Sequence, residues 1–340
     1  MRFWPYSLLS VAVLGACGSR TGLLVPGDRG FVEPDSAVEG DDAAFDAGPD
    51  ATEDVAEIED ALPPIDVRKP PVDAFNPCPD AGATLVYVVT EQQQLLSFYP
   101  PTAEFTPIGP LRCPTASPSF QPFSMAVDRT GIAYVLYSDS NSPNSNSELF
   151  RVSTATGSCR ATGFRTSQVG FNKFGMGYSH DDMGSGETLY VASGGDNVAA
   201  TLGTINTQNF TLSVVGGIRP SIGSPELSGT GAGDLFAFFA TTGANPCDNT
   251  MNGVNCADSA IGQIDKTTGK VTSESVLNGN EQGQAWAFAF WGGAFYTFTA
   301  PTNSGTVVNR FNPADGSLVT VARRSDFIVG AGVSTCAPAQ

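Results

Sequence analysis

A short turn that returns about every 50 residues constrains this chain more than any other feature. Its clearest copies are Phe150-Arg151-Val152-Ser153-Thr154-Ala155-Thr156-Gly157, Ile264-Asp265-Lys266-Thr267-Thr268-Gly269 and Phe311-Asn312-Pro313-Ala314-Asp315-Gly316. Looser copies occupy 205–210 and 98–102. A polar residue opening such a turn can bond its own backbone, and glycine supplies the positive φ that closes it. Between the turns lie short runs rich in Val, Phe, Tyr and Thr, at 84–89, 132–137, 188–192, 234–239 and 294–298. They read as strands, and no long amphipathic helix interrupts them.

A third kind of run opens most units. Ser124-Met125-Ala126-Val127, Phe174-Gly175-Met176-Gly177, Glu226-Leu227-Ser228-Gly229 and Ala285-Trp286-Ala287-Phe288-Ala289 are rich in small residues. Small side chains suit an innermost strand crowded around a central axis. A period near 50 with about four strands per unit predicts an all-β protein, a single β-propeller. The count is five four-stranded blades, with six the nearest alternative. The first unit lacks its innermost strand, and the run 327–333 at the other end can supply it. The ring would then be closed by pairing N- and C-terminal strands.

Residues 1–17 form a separate segment. Arg2 gives a positive start, and 8–14 form an apolar run too short to span a bilayer. The run ends Leu14-Gly15-Ala16-Cys17, which resembles the lipobox of bacterial lipoproteins. The resemblance implies a signal peptide cut before Cys17, with diacylglyceryl on its thiol and palmitate-type acyl chains anchoring the chain. Gly18 stands where lipoproteins kept in the inner membrane carry Asp, so the resemblance implies the outer membrane. No later stretch reaches 18 unbroken apolar residues, so the lipid is the expected membrane attachment.

Residues 18–77 differ again. They hold 15 acidic and four basic residues, a net −11 of the chain's −17, with Ala and Pro filling the rest. Such a segment buries too little apolar surface to offset chain entropy and is expected to be a disordered acidic linker. The folded domain is then 78–340. The negative charge argues against nucleic acid as a partner. The acidic Ala/Pro linker, together with Pro122-Phe123-Ser124-Met125-Ala126-Val127-Asp128 and Phe174-Gly175-Met176-Gly177, resembles propeller lipoproteins of myxobacteria. That resemblance implies a cell-envelope location and carries no activity with it.

Setting Cys17 aside leaves six cysteines in an exported protein, hence three disulfides among 15 possible connectivities. Cys247 and Cys256 close one Asn/Gly-rich loop. Cys78 and Cys336 flank the first and last strands, which a closed ring brings together. Cys113 and Cys159 then remain as the third pair.

The sequence offers few candidates for chemistry. The lone histidine, His180, excludes multi-histidine metal sites. Glu226, Glu281 and Asp326 precede or open predicted innermost strands, where a propeller-type glycosidase would place its acids. In 248–258, Asp248, Thr250, Asn252 and Asp258 partly resemble a calcium loop around a glycine turn. Ser259 stands where an EF-hand has its bidentate carboxylate, and the flanking disulfide explains a compact polar loop without metal. The expectation is therefore a non-enzymatic domain without a required cofactor. It would bind a protein or glycan through face loops that include 138–148, 193–200 and 241–259. A carbohydrate-active hydrolase is the alternative.

Overall fold

The computed structural model describes residues 62–67, 78, 84–139, 146–194, 199–220, 222–241, 258–301 and 303–339. Among them there is no α-helix, and twenty strands fall into five four-stranded antiparallel sheets. The first sheet joins β1 (Val86–Thr90), β2 (Gln94–Tyr99) and β3 (Glu104–Pro110) to the last strand, β20 (Ile328–Val333). The second holds β4 (Phe120–Val127), β5 (Ile132–Asp139), β6 (Ser147–Ser153) and β7 (Cys159–Ala161). The third holds β8 (Phe174–His180), β9 (Glu187–Ser193), β10 (Thr201–Ile205) and β11 (Leu212–Gly217). The fourth runs β12 (Glu226–Gly229), β13 (Leu235–Ala240), β14 (Asp258–Ile264) and β15 (Val271–Glu281). The fifth runs β16 (Trp286–Trp291), β17 (Ala294–Thr299), β18 (Val307–Asn312) and β19 (Ser317–Arg323).

These sheets are the blades of a five-bladed β-propeller. The small-residue runs are its innermost strands, β4, β8, β12, β16 and β20, each packed against the next around the axis. Their backbones nearly touch. A Cβ on Gly229 would lie 2.2 Å from the Tyr178 carbonyl oxygen, and one on Gly177 would lie 2.8 Å from Leu227 backbone atoms. Glycine is required where two main chains approach this closely.

The core is divided the way the ring is. Five buried clusters sit at the five blade–blade interfaces. Alternation along β1 sends Val86 and Val88 toward blade 5, and Tyr87 and Val89 toward blade 2. The second strand of a blade is therefore buried on both faces, which is why Leu235–Ala240 and Ala294–Thr299 are uniformly apolar or buried. Between blades 4 and 5 the filling is aromatic, with Phe236, Phe238, Phe288, Phe290, Phe295 and Phe311 in one cluster.

The ring closes as the sequence suggests. β20 pairs antiparallel with β1, Val86 opposite Val333 and Val89 opposite Gly330. A disulfide joins Cys78 to Cys336 at that junction, and a second joins Cys113 to Cys159. Cys247 and Cys256 lie outside the described residues.

One segment inside the acidic linker is part of the folded body. The Glu274 N–H donates to the Pro63 carbonyl at 2.8 Å, and the Ile65 N–H donates to Ser275 Oγ at 3.4 Å. Leu62 packs on the cluster between blades 3 and 4, while Ile65 and Val67 pack on that between blades 4 and 5. Residues 62–67 thus form a strap across the outer edge of blade 4. Ile65, only 5% exposed, is its plug.

Candidate functional site

The antiparallel register decides which residues share a face of the ring. Phe120 opposes Asp139, Phe174 opposes Ser193, Glu226 opposes Phe238, and Trp286 opposes Thr299. The start of each innermost strand therefore lies level with the end of the second strand. The connections from second to third strands leave from that same end, as Ser138 opposite Ser147 and Ala240 opposite Ser259 show. The ends of the long connections 138–148, 193–200 and 241–259 thus share a face with the mouth of the axis. Within them, 140–145, 195–198 and 242–257 lie outside the described residues.

Glu226 closes the axis at this face. Its Oε2 accepts a hydrogen bond from Ser124 Oγ at 2.8 Å, and the Met176 backbone N–H also donates to its carboxyl. One side chain of β12 so ties together β4 and β8. It is 3% exposed. Burial pushes its proton affinity well above the usual carboxylate range, outweighing those two hydrogen bonds. Above it lies a shallow recess lined by Phe123, Lys173, Phe174, Ser224, Pro225 and Trp286. The Lys173 ammonium stands 5.7 Å from the Phe123 ring centroid, and Trp286 Nε1–H donates to the Ser224 carbonyl at 3.2 Å. The recess holds about 10 Å³, the lower bound for one water. Among the described residues it presents a half-buried aromatic and cationic surface.

The other acids singled out by sequence are elsewhere. Glu281 ends β15, the outermost strand of the blade whose innermost strand begins with Glu226, and it opposes Asp258. Three inter-strand steps separate those strands, about 14 Å across the sheet. Asp326 is engaged by Arg324, with Nε to Oδ1 at 2.7 Å and a second bond to Oδ2 at 2.8 Å. Among the described residues, neither Glu281 nor Asp326 is therefore placed beside Glu226.

Of the calcium candidates, Asp248, Thr250 and Asn252 lie outside the described residues, as does Cys17. Asp258 opens β14, and its Oδ1 accepts from the Gly279 N–H at 2.8 Å. Among the described residues no three acidic, histidine or cysteine side chains cluster as metal ligands. His180 lies on the opposite face, its Nδ1 2.7 Å from the Asp181 carbonyl.

That opposite face holds a buried network with no local sequence signal. Glu187 Oε1 accepts from the Arg129 N–H at 2.7 Å, and Oε2 accepts from Thr335 Oγ1 at 2.7 Å. Burial raises the proton affinity of Glu187 despite these bonds. The network ties the turns of blades 2 and 3 to the segment holding Cys336, so its role is structural. Lys173, Phe123 and Trp286 likewise carry no functional signal in the sequence: Lys173 immediately precedes β8, Phe123 lies within β4 and Trp286 opens β16.

The fold class is thus fixed as a five-bladed β-propeller with an aromatic and cationic axis mouth. No protein-family model and no curated protein matches the sequence. Among solved structures the chain is similar to TolB from Acinetobacter baumannii, at 12% identity and a TM-score of 0.37, over 70% of this chain and 52% of that one. It is similar to a family 117 glycoside hydrolase from Zobellia galactanivorans at 11% identity and a TM-score of 0.44, over 63% and 74%. A calcium-binding protein, regucalcin, from Agrobacterium tumefaciens str. C58 aligns at 15% identity and 0.36, over 72% and 71%. The chain spans about half the length of the TolB chain it matches. At these values the likeness assigns no ligand and no activity.

Proposed function

We propose that this chain is a lipid-anchored envelope protein whose propeller binds a protein or a glycan through the axis-mouth face. Cys17 carries the anchor, and the acidic linker holds the ring off the membrane, most simply the outer membrane. The observation that carries the binding reading is the convergence of Phe123, Lys173 and Trp286 over the recess closed by Glu226, on the face that bears the long connections. Aromatic and cationic side chains of this kind are the anchors that binding surfaces favour. The shallowness of the recess favours a broad partner over an engulfed one.

Two experiments test the reading. Intact-mass analysis of the membrane-extracted protein should show an N-terminus at Cys17 carrying acyl chains, and Cys17→Ser should release the protein into the aqueous phase. An unmodified Cys17 would end the anchoring part. The whole chain, immobilised against a glycan array and against purified envelope proteins, should retain a partner that Lys173→Glu loses. Equal retention by both chains would end the binding part.

A further inference from the structure

The outer hairpin of blade 2 carries a charge arrangement that the fold does not call for. Arg151 on β6 and Arg160 on β7 are register partners, so both side chains leave the same face of the sheet. Directly opposed like charges repel and destabilise a strand pair. Among the described residues, neither guanidinium is ion-paired. The Arg151 guanidinium lies 5.8 Å from the centroid of the Tyr134 ring. Asp128, whose charge acts on the same Tyr134, is used by backbone groups: its Oδ1 accepts from the N–H groups of Thr130 and Ile132 at 2.9 and 3.0 Å.

Both arginines line an open groove of about 290 Å³, whose other walls are Ile132, Val152 and the hydroxyl residues Ser153 and Ser158. The Cys113–Cys159 disulfide bonds, from the other face of the sheet, the first residue of the three-residue strand that carries Arg160. The shortest described strand is thereby fixed by a covalent bond beside the charge it presents. The surplus of cations is local. Residues 78–340 carry 19 acidic against 12 basic side chains.

We infer that this groove binds a tetrahedral oxyanion, a phosphate or sulfate group, between the forks of Arg151 and Arg160. Ser153 and Ser158 supply hydroxyl donors. Guanidinium groups bind such oxygens through paired, charge-assisted hydrogen bonds, and the bound charge removes the repulsion between the two strands. The groove is larger than one such ion, which leaves room for a sugar or alcohol that carries the group. The site stands apart from the axis mouth and does not depend on the function proposed for it.

The test uses the whole chain in low-salt chloride buffer, with thermal melts and calorimetric titrations. The probes are inorganic phosphate, sulfate and glucose 6-phosphate. At least one should raise the melting temperature of the wild type and leave that of Arg151→Gln/Arg160→Gln unchanged. Without the probes, each single Arg→Gln chain should melt at or above the wild-type temperature, because repulsion is relieved. Each should bind roughly tenfold more weakly. Arg160→Lys, which keeps the charge and loses the fork, should fall between. Saturation by phosphate or sulfate alone identifies a free ion as sufficient, whereas a response to glucose 6-phosphate alone identifies an ester. A wild-type melt unmoved by all three probes overturns the inference, whether or not the variants fold. So does an equal shift in the double variant.

Discussion

The fifth residue of the turn between third and fourth strands occupies the left-handed region in every blade. It is glycine in three of them, Gly157, Gly269 and Gly316, with φ between 69° and 79°. In the other two it is Phe210 at 58° and Ala103 at 55°. The N–H of Gly157, Gly269, Gly316 and Phe210 each returns to the carbonyl four residues earlier. Where the opening residue is Asp265 or Asn206, its Oδ1 accepts backbone N–H groups within the turn. The three glycine turns are legible in the sequence because only glycine adopts that backbone without cost. The two others are hidden, since the ring imposes the conformation on residues that disfavour it. Ala103→Gly should therefore stabilise the domain by up to about 1 kcal/mol in urea unfolding. Phe210→Gly should not, because its ring packs on the cluster between blades 2 and 3.

Glu226 gives a second prediction at this scale. Its folded-state proton affinity is raised by burial, so over the affected pH range the native state binds more protons than the unfolded chain. Its contribution to stability is fully present below the unfolded carboxylate range and is lost as pH rises toward the folded value. Glu226→Gln keeps an acceptor for Ser124 without that titration. It should raise the melting temperature at pH 7, leave it nearly unchanged near pH 4, and flatten the fall between them. A variant that loses stability equally at both pH values would show that only shape matters at this position.

At the scale of elements, the second and innermost strands were the most readable. A strand buried on both faces must be apolar throughout, and one at the axis must be small, so each leaves a local composition. The strap left none. Its one decisive residue, Ile65, sits in an acidic, proline-rich stretch whose average predicts disorder, and what orders it is a gap between blades 4 and 5 far away in sequence. It also covers part of β15, an outer edge that would otherwise offer free backbone groups. Ile65→Ala should cost about 2 kcal/mol of stability by denaturant unfolding, at the low end for a buried aliphatic side chain because the site is at the rim. An exposed neighbour such as Asp66 should tolerate the same change within about 0.5 kcal/mol.

At the scale of the whole molecule, closure depends on the two ends of the domain. The pairing of β1 with β20 was legible because the first unit lacked one strand and the last segment supplied one. The axis mouth was legible only in part. Glu226 begins a recognisable strand, but Phe123, Lys173 and Trp286 come from three different blades. Only the ring brings them together, and no local pattern announces that.

The two described disulfides also act at this scale. Cys78–Cys336 spans 258 residues and Cys113–Cys159 spans 46. On chain entropy alone, replacing the first pair with serine should cost about 1.5 kcal/mol more than replacing the second. Comparing the two double variants in guanidinium unfolding checks this.

The central claim is that the ring binds through the face where its innermost strands begin. Hydrogen exchange on the whole chain, with and without its captured partner, tests that most directly. Protection should gather at 120–124, 171–175, 222–226 and 284–286. Protection confined to the opposite turns, 128–131, 181–186 and 265–270, would contradict it.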